Sequence, residues 1–388
     1  MSIILSSCGN DNNEPKGPVI PPAPQQADRT VLAYVAADNT LSRFALEDLS
    51  EMVEGMAEVD TDKNNLLVYI DSSSGTPQLY WLRKNDHGQV EKMIIMDYEK
   101  RNSVGVTEMK EVISYVYNTY KANSYGFIYW SHGDGWIPYP LNNARWVGQD
   151  VSEGDNRMNI SQFKEVLDVA PHLDFLMFDA CFMQSIEVAY ELKECADYIL
   201  ASPTEIPGPG APYQVLMPVV FNKNDNSAIS IAASYYDFYE AKYKGGTNNS
   251  NSNWTGGVSM SVIETSVLNE FAQHTKNIFA NYYNVSVNIN NIMNYDRRPS
   301  KYYYDLDGYI KNLTNGNSDY STWKLKFNKM QPYFKTTPRN FSSTGGMFSM
   351  DGSAGISTFI IQGSNQVLQN NYKGTAWAIA TGLDKLIN

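Results

Sequence analysis

From Thr30 onward the chain alternates between two kinds of segment. The first is a short, unbroken apolar run. "TVLAYVAA" (30–37), "NLLVYID" (65–71), "YGFIYWS" (125–131), "LDFLMFD" (173–179) and "ADYILASP" (196–203) have strand length and no polar alternation, the pattern of strands covered on both faces. The second kind has helical spacing. In "LSRFALEDLSEMVEGMAEV" (41–59), Phe44, Leu46, Leu49, Met52, Val53 and Met56 fall on one side. "GVTEMKEVISYVYNTYKA" (105–122) is a second amphipathic helix with Thr107 as its expected N-cap, and "ISQFKEVLDVA" and "QSIEVAYELKEC" are two more. "QLYWLRK" and "VEKMIIMD" flank "NDHG" and predict a hairpin.

Apolar strands alternating with amphipathic helices predict an α/β fold: a mainly parallel sheet with helices on both faces. Later segments are less regular. "VSMSVIE" predicts a strand and "SVLNEFAQHTKNIFANYY" a helix. "YYYDLDGYIKNL" and "STWKLKFNKMQPYF" read as helices, "GISTFIIQ" as a strand and "GTAWAIATGLDKLI" as a closing helix. The expected organisation is a lipoprotein signal remnant and flexible tether over 1–29, a main α/β domain over 30–285 and a smaller, mostly helical C-terminal subdomain over 286–388 that packs on it.

Composition narrows the function. The 388 residues contain 43% hydrophobic and 13% aromatic side chains, enough for a substantial core. A net charge of -12 argues against nucleic-acid binding, which needs clustered Lys and Arg. The three cysteines form no C-x-x-C pair and no Cys/His cluster, so neither a structural zinc nor a disulfide framework is indicated. "LSSC" (5–8) has the form of a bacterial lipobox, and a polar, proline-rich stretch follows it. The expectation is lipidation at Cys8 and an extracytoplasmic, lipid-anchored protein touching a membrane only through that anchor.

Candidate chemistry lies at strand ends, where parallel sheets place their sites. "YWSHGDGW" ends a strand at His132, and "FDACFM" ends another at Cys181. A helix starting near Gln184 would aim its positive end at the thiol and lower its pKa. His132 could take the thiol proton and return it to a leaving amine. Backbone N–H groups of Gly133 and Cys181 could form an oxyanion hole. Taken singly, Cys181 reads as a buried structural cysteine and His132 as a turn histidine. "YIDSSSG" has the look of a subtilisin aspartate segment at Asp71, but no suitable serine segment follows.

"YWSHGDGW", "FDACFMQSIEVAYEL" and "ADYILASPTEIPGPGAPY" together resemble the clostripain family of cysteine peptidases, over roughly Thr30 to Tyr213. The resemblance implies a caspase-like α/β/α sandwich and a dyad of Cys181 (nucleophile) and His132 (general base and acid). It implies a protein or peptide substrate cut after Arg or Lys, with Asp179 facing the basic side chain. An aromatic-acidic pair often follows the family's glycines. Here Ala211 and Pro212 stand there, and Glu205 is the nearest substitute. Family members often cut themselves between the histidine and cysteine strands, which points to Arg145, with Arg157 second. No cofactor is expected. Calcium, which some members need, could be held by Asp150, Glu153 and Asp155, though these also read as a solvated acidic loop. The competing reading is a non-catalytic surface lipoprotein that binds peptide or glycan through the same cleft.

Overall fold

The computed structural model describes residues 26–138, 146–223, 227–248, 253–362 and 365–387. Cys8 and Arg145 lie outside the described residues.

Nine strands form the central sheet: β1 Ala27–Ala37, β2 Asn64–Ser72, β3 Gln78–Lys84, β4 Val90–Asp97, β5 Ala122–Trp130, β6 Leu173–Asp179, β7 Ala196–Ala201, β8 Ser259–Glu264 and β9 Tyr333–Thr336. Their spatial order is β9-β8-β7-β6-β5-β1-β2-β3-β4. The five apolar runs of the sequence are β2, β1, β5, β6 and β7, paired in parallel at the centre. The β3–β4 hairpin extends one edge and β8–β9 the other, all antiparallel.

Helices cover both faces. They include α1 Ser42–Met56, α2 Val106–Thr119, α3 Ile160–Leu167, α4 Ile186–Glu191, α5 Tyr213–Val220, α6 Ser227–Glu240 and α7 Leu268–Tyr282. Successive side chains of a strand point to opposite faces, and β1 uses both. Val31, Ala33 and Val35 pack with Phe44, Met52, Leu216 and Ile231 of α1, α5 and α6. Leu32, Tyr34 and Ala36 pack with Met109, Val112, Phe163 and Phe271 of α2, α3 and α7. The α/β/α sandwich predicted from patterning is therefore present.

Local details differ from the sequence reading. Thr107 is not the N-cap of α2: Gly105 is, and the helix begins at Val106. Glu108 folds back over that end, and a Cβ on Gly105 would collide with its carboxylate. "STWKLKFNKMQPYF" is helical only to Met330, and Tyr333 already belongs to the central sheet. "GISTFIIQ" holds two strand residues, Ser357–Thr358, which pair with Tyr304–Asp305. The closing helix breaks at Gly382, whose φ is +74. α5 and α6 had no counterpart in the pattern. Their apolar residues follow Pro- and Asn-rich stretches that mask the helical period.

The residues after 286 share the core cluster of the sheet's α2 face through Tyr303, Trp323, Phe327 and Trp377. Buried Glu187 on α4 accepts hydrogen bonds from Thr358 Oγ1 at 2.8 Å and Phe359 N–H at 2.9 Å, tying that region to the sandwich.

One side-chain contact between the two strands that carry the site is very tight. Gly126 on β5 lies opposite Phe175 on β6, and a Cβ there would meet the phenyl ring at 2.3 Å. Gly126→Ala should therefore cost about 1–3 kcal/mol through overpacking. Chemical denaturation of the variant beside the wild-type protein checks this, and an unchanged midpoint would refute it.

Candidate active site

The β5–β6 register places Trp130 opposite Asp179. Two residues further on each strand stand His132 and Cys181, so both leave the sheet at the same edge. The two loops touch: a Cβ on Gly133 would lie 2.7 Å from Ala180 Cβ, 2.8 Å from Cys181 O and 3.2 Å from Cys181 N. Only glycine permits that approach.

The histidine loop is held from several sides. Ser131 donates its hydroxyl to Ala36 O at 2.7 Å. Gly148 N–H donates to His132 O at 2.9 Å, and Asp134 N–H to Trp146 O at 2.7 Å, so the segment from Trp146 lies beside the loop like a strand. Arg298 Nη1 lies 2.8 and 2.7 Å from the two Asp134 carboxylate oxygens. Tyr303 O–H donates to Asp134 O. Gly135 has φ +86, and a Cβ there would strike the Tyr303 hydroxyl. Trp136 is buried against Phe359 and Tyr372. Asp134 and Trp136, with no role legible in the sequence, thus fasten the loop to the C-terminal region.

The cysteine loop is fastened to the same place. Phe182 takes a left-handed φ of 60, uncommon for a bulky residue. Its ring stacks on Tyr303 at 5.6 Å, and the Arg298 guanidinium lies 5.1 Å from its centroid. Its N–H donates to Thr204 O at 2.9 Å. Helix α4 begins at Ile186 with Ser185 as cap, four residues beyond Phe182.

His132 and Cys181 are both held neutral by their surroundings. Burial pushes the Cys181 thiol well above its usual range, with the Glu205 carboxylate adding to the effect. The expected lowering by a helix end is thus outweighed by desolvation. The sulfur accepts a hydrogen bond from Ile206 N–H at 3.4 Å. Burial pulls the His132 imidazole down to about 4, helped by the nearby Arg157 charge. His132 Nε2 shares a hydrogen bond with Thr40 Oγ1 at 2.9 Å. The Trp146 ring stands edge-on to the imidazole, 6.3 Å away.

His132, Gly133, Cys181, Glu205 and Asp179 all line one cavity of about 400 Å³. Glu205 sits at its rim, where its carboxylate accepts Ser343 N–H at 2.9 and 3.0 Å. Asp179 is buried. It accepts from Ala211 N–H and Tyr213 O–H, both at 2.9 Å, and from Tyr235 O–H at 3.2 Å. Desolvation lifts its carboxyl to about 6 against the pull of those donors. Arg298 also lines the cavity. Sequence reading missed it, and nothing local in "YDRRPS" marks it.

Other candidates lie elsewhere. Asp150 is buried, accepting from Ser103 N–H at 2.7 Å, Ser103 O–H at 2.8 Å and Ser152 N–H at 2.9 Å. Asp155 is paired with Arg157 at 2.7 Å. Their oxygens are occupied by protein donors, and among the described residues no three His, Cys, Asp or Glu side chains are placed to hold a metal ion. Asp71 is buried, 3.8 Å from Lys100 Nζ. Cys195 packs against the core, and burial raises its thiol to about 11. No helix among the described residues is long and apolar enough to cross a membrane.

An α/β sandwich with a histidine and a cysteine at neighbouring parallel strand ends, over one cavity, has the architecture of a cysteine endopeptidase. The chain belongs to the clostripain family, whose model matches residues 33–378. It is 25% identical over 274 residues to clostripain of Hathewaya histolytica, covering 62% of this chain, and it spans about half (47%) of that relative's length. Among solved structures it is similar to a secreted C11 cysteine protease from Bacteroides thetaiotaomicron in complex with an irreversible peptide inhibitor. That similarity has 45% identity and a TM-score of 0.86, over 92% of this chain and 100% of that one. It is also similar to an inactive zymogen C11 protease from Parabacteroides distasonis, with 28% identity and a TM-score of 0.79, over 92% and 99% of the two chains.

The His132 environment makes stability depend on pH. An unfolded imidazole takes a proton near 6.5, whereas the buried one resists until about 4. Protonation then favours the unfolded chain, so stability present above pH 6.5 is lost as pH falls toward 4. Thermal unfolding across that window should show a steeper slope for wild type than for His132→Gln. Parallel curves would contradict it.

Proposed function

We propose that this chain is a cysteine endopeptidase that hydrolyses peptide bonds after Arg or Lys, with Cys181 as nucleophile and His132 as general base and acid. One observation carries the reading: His132 and Cys181 line the same cavity as a buried carboxylate, Asp179. The inhibitor of the Bacteroides thetaiotaomicron neighbour is a peptide, which fits a peptide in this cleft.

In the resting enzyme the thiol and imidazole are both neutral. For reaction, His132 exchanges its Thr40 partner for the thiol and accepts its proton. The sulfur attacks the scissile carbonyl carbon, forming a C–S bond while the carbonyl π electrons move to oxygen. N–H groups of Gly133 and Cys181, on the two touching loops, receive that oxyanion. As the C–N bond breaks, His132 gives its proton to the leaving amine. Water, deprotonated by His132, then attacks the thioester, and the proton returns to sulfur as the carboxylic product leaves. Asp179 at the cavity floor attracts a basic side chain. Arg298, held to Asp134, fixes the histidine loop.

Self-cleavage after Arg145 fits the same specificity. Arg157 is a poorer cut site, lying in the strand Asn156–Met158 and paired with Asp155. A lipid tether at Cys8 would hold the enzyme outside the cytoplasm, in keeping with the secreted neighbour.

Two outcomes are expected. Matched fluorogenic peptides should be cleaved after Arg or Lys at least about 100-fold faster than after norleucine. Cys181→Ala should lose that cleavage and, on N-terminal sequencing, the new end at Trp146. Equal rates for all peptides would refute the basic preference, and identical intact chains would refute self-cleavage. Separately, cells expressing the full chain should incorporate radiolabelled palmitate into wild type and not into Cys8→Ser. Equal labelling, or none in either, would refute the tether.

A further inference from the structure

The loop after Gly210 carries Ala211 and Pro212 and brings no acid to the cavity floor. A different element brings one up behind Gly210, which lines the cavity. Asp48, in the middle of α1, is wholly buried. Its Oδ2 accepts the indole N–H of Trp130 at 2.7 Å. Its Oδ1 has no hydrogen-bond partner among the described residues.

Gly210 shows where this carboxylate points. The glycine lines the cavity and has φ +81. A Cβ built on it would sit 3.0 Å from Asp48 Oδ2, 3.1 Å from Asp179 Oδ2 and 3.3 Å from Trp130 Nε1. Two carboxylates from distant elements therefore converge on one point at the cavity wall. Trp130, which holds one of them, lines the same cavity.

Buried carboxylates are normally paired with a cation. Neither Asp48 nor Asp179 has an ion-pair partner among the described residues. Protein dipoles satisfy Asp179 through three donors, but Asp48 has one donor for two oxygens. Burial, followed by the Asp179 and Glu51 charges, holds the Asp48 carboxyl well above its ordinary range. An arriving guanidinium or ammonium would supply the missing charge and donors. A guanidinium carries donors along several edges and can serve two carboxylates at once.

We propose that Asp48 is a second specificity-determining carboxylate of this cavity, acting with Asp179 to bind the basic side chain on the amino side of the scissile bond. This rests on the basic-residue reading given above. It moves the second acid from the loop, where sequence placed Glu205 as the nearest substitute, to helix α1. Glu205 is engaged by Ser343 N–H at the rim.

The test compares wild type, Asp48→Asn and Glu205→Gln on matched peptides ending in Arg, Lys or norleucine. Asparagine keeps an acceptor for Trp130 and removes the charge. In Asp48→Asn the Arg-to-norleucine ratio of kcat/KM should fall at least about 10-fold, chiefly through KM for Arg. Glu205→Gln should change the ratio less. A wild-type ratio near one would overturn the basic-residue reading itself. A wild-type preference that survives intact in Asp48→Asn would overturn only the Asp48 assignment. So would an equal fall on all three peptides with a lowered melting temperature, which marks a structural role.

A second measurement does not depend on that variant folding. The groups facing Asp48 are Glu47 and Glu51 on its own helix, Asp179 on β6, Tyr213 on α5 and Tyr239 on α6. Asp179 is set to ionise near pH 6, and Glu51 near 7. In Glu51→Gln enzyme, competitive inhibition by benzamidine should tighten as pH rises and the wall carboxyls Asp179 and Asp48 give up their protons. Inhibition independent of pH would overturn the proposal.

Discussion

Everything at the site depends on the pairing of two parallel strands. β5 and β6 run side by side with Trp130 opposite Asp179. A slip of one residue in either strand would reverse its faces and carry the loop residue beyond it away from its partner. Register is protected by burial on both faces and by the fit of Phe175 over Gly126. The same tight spacing brings Gly133 against the backbone of Ala180 and Cys181. His132, Cys181 and the backbone N–H groups of Gly133 and Cys181 are thus brought together by backbone geometry, before any side chain chooses a rotamer.

The C-terminal region finishes what the sheet begins. Tyr303 stacks on Phe182 and donates to Asp134 O, while Arg298 pairs with the Asp134 carboxylate. One short segment therefore clamps both the His132 loop and the Cys181 loop. It also holds Phe182 in a left-handed conformation that a bulky residue reaches only when its surroundings enforce it. The family match, extending to residue 378, agrees with a fold in which the later segments are part of the site's support.

The electrostatics have a consistent direction. Burial acts on thiol, imidazole and carboxyls alike, and in each case it favours the neutral form. Charge is thereby kept low at His132 and Cys181 and at Asp179 in the same cavity.

Much of this was written locally. Unbroken apolar runs identified β1, β2, β5, β6 and β7, because a strand buried on both faces has no polar side to show. The His-Gly and Asp-Ala-Cys ends of two such runs marked His132, Cys181 and Asp179, since parallel strands deliver their next residues to one edge. Other features were not legible. Helices α5 and α6 were hidden by flanking Pro and Asn, and the strand at Tyr333 by the helix before it. Nothing local in the amphipathic helix marks Asp48. It reaches Trp130 across 82 positions of sequence, and Arg298 reaches Asp134 across 164. Periodicity records which side of an element is covered, and so the sequence by itself determined the layers and the strand ends that carry the chemistry. Which distant side chains meet at those ends is a product of packing between elements, and only the tertiary structure decided that.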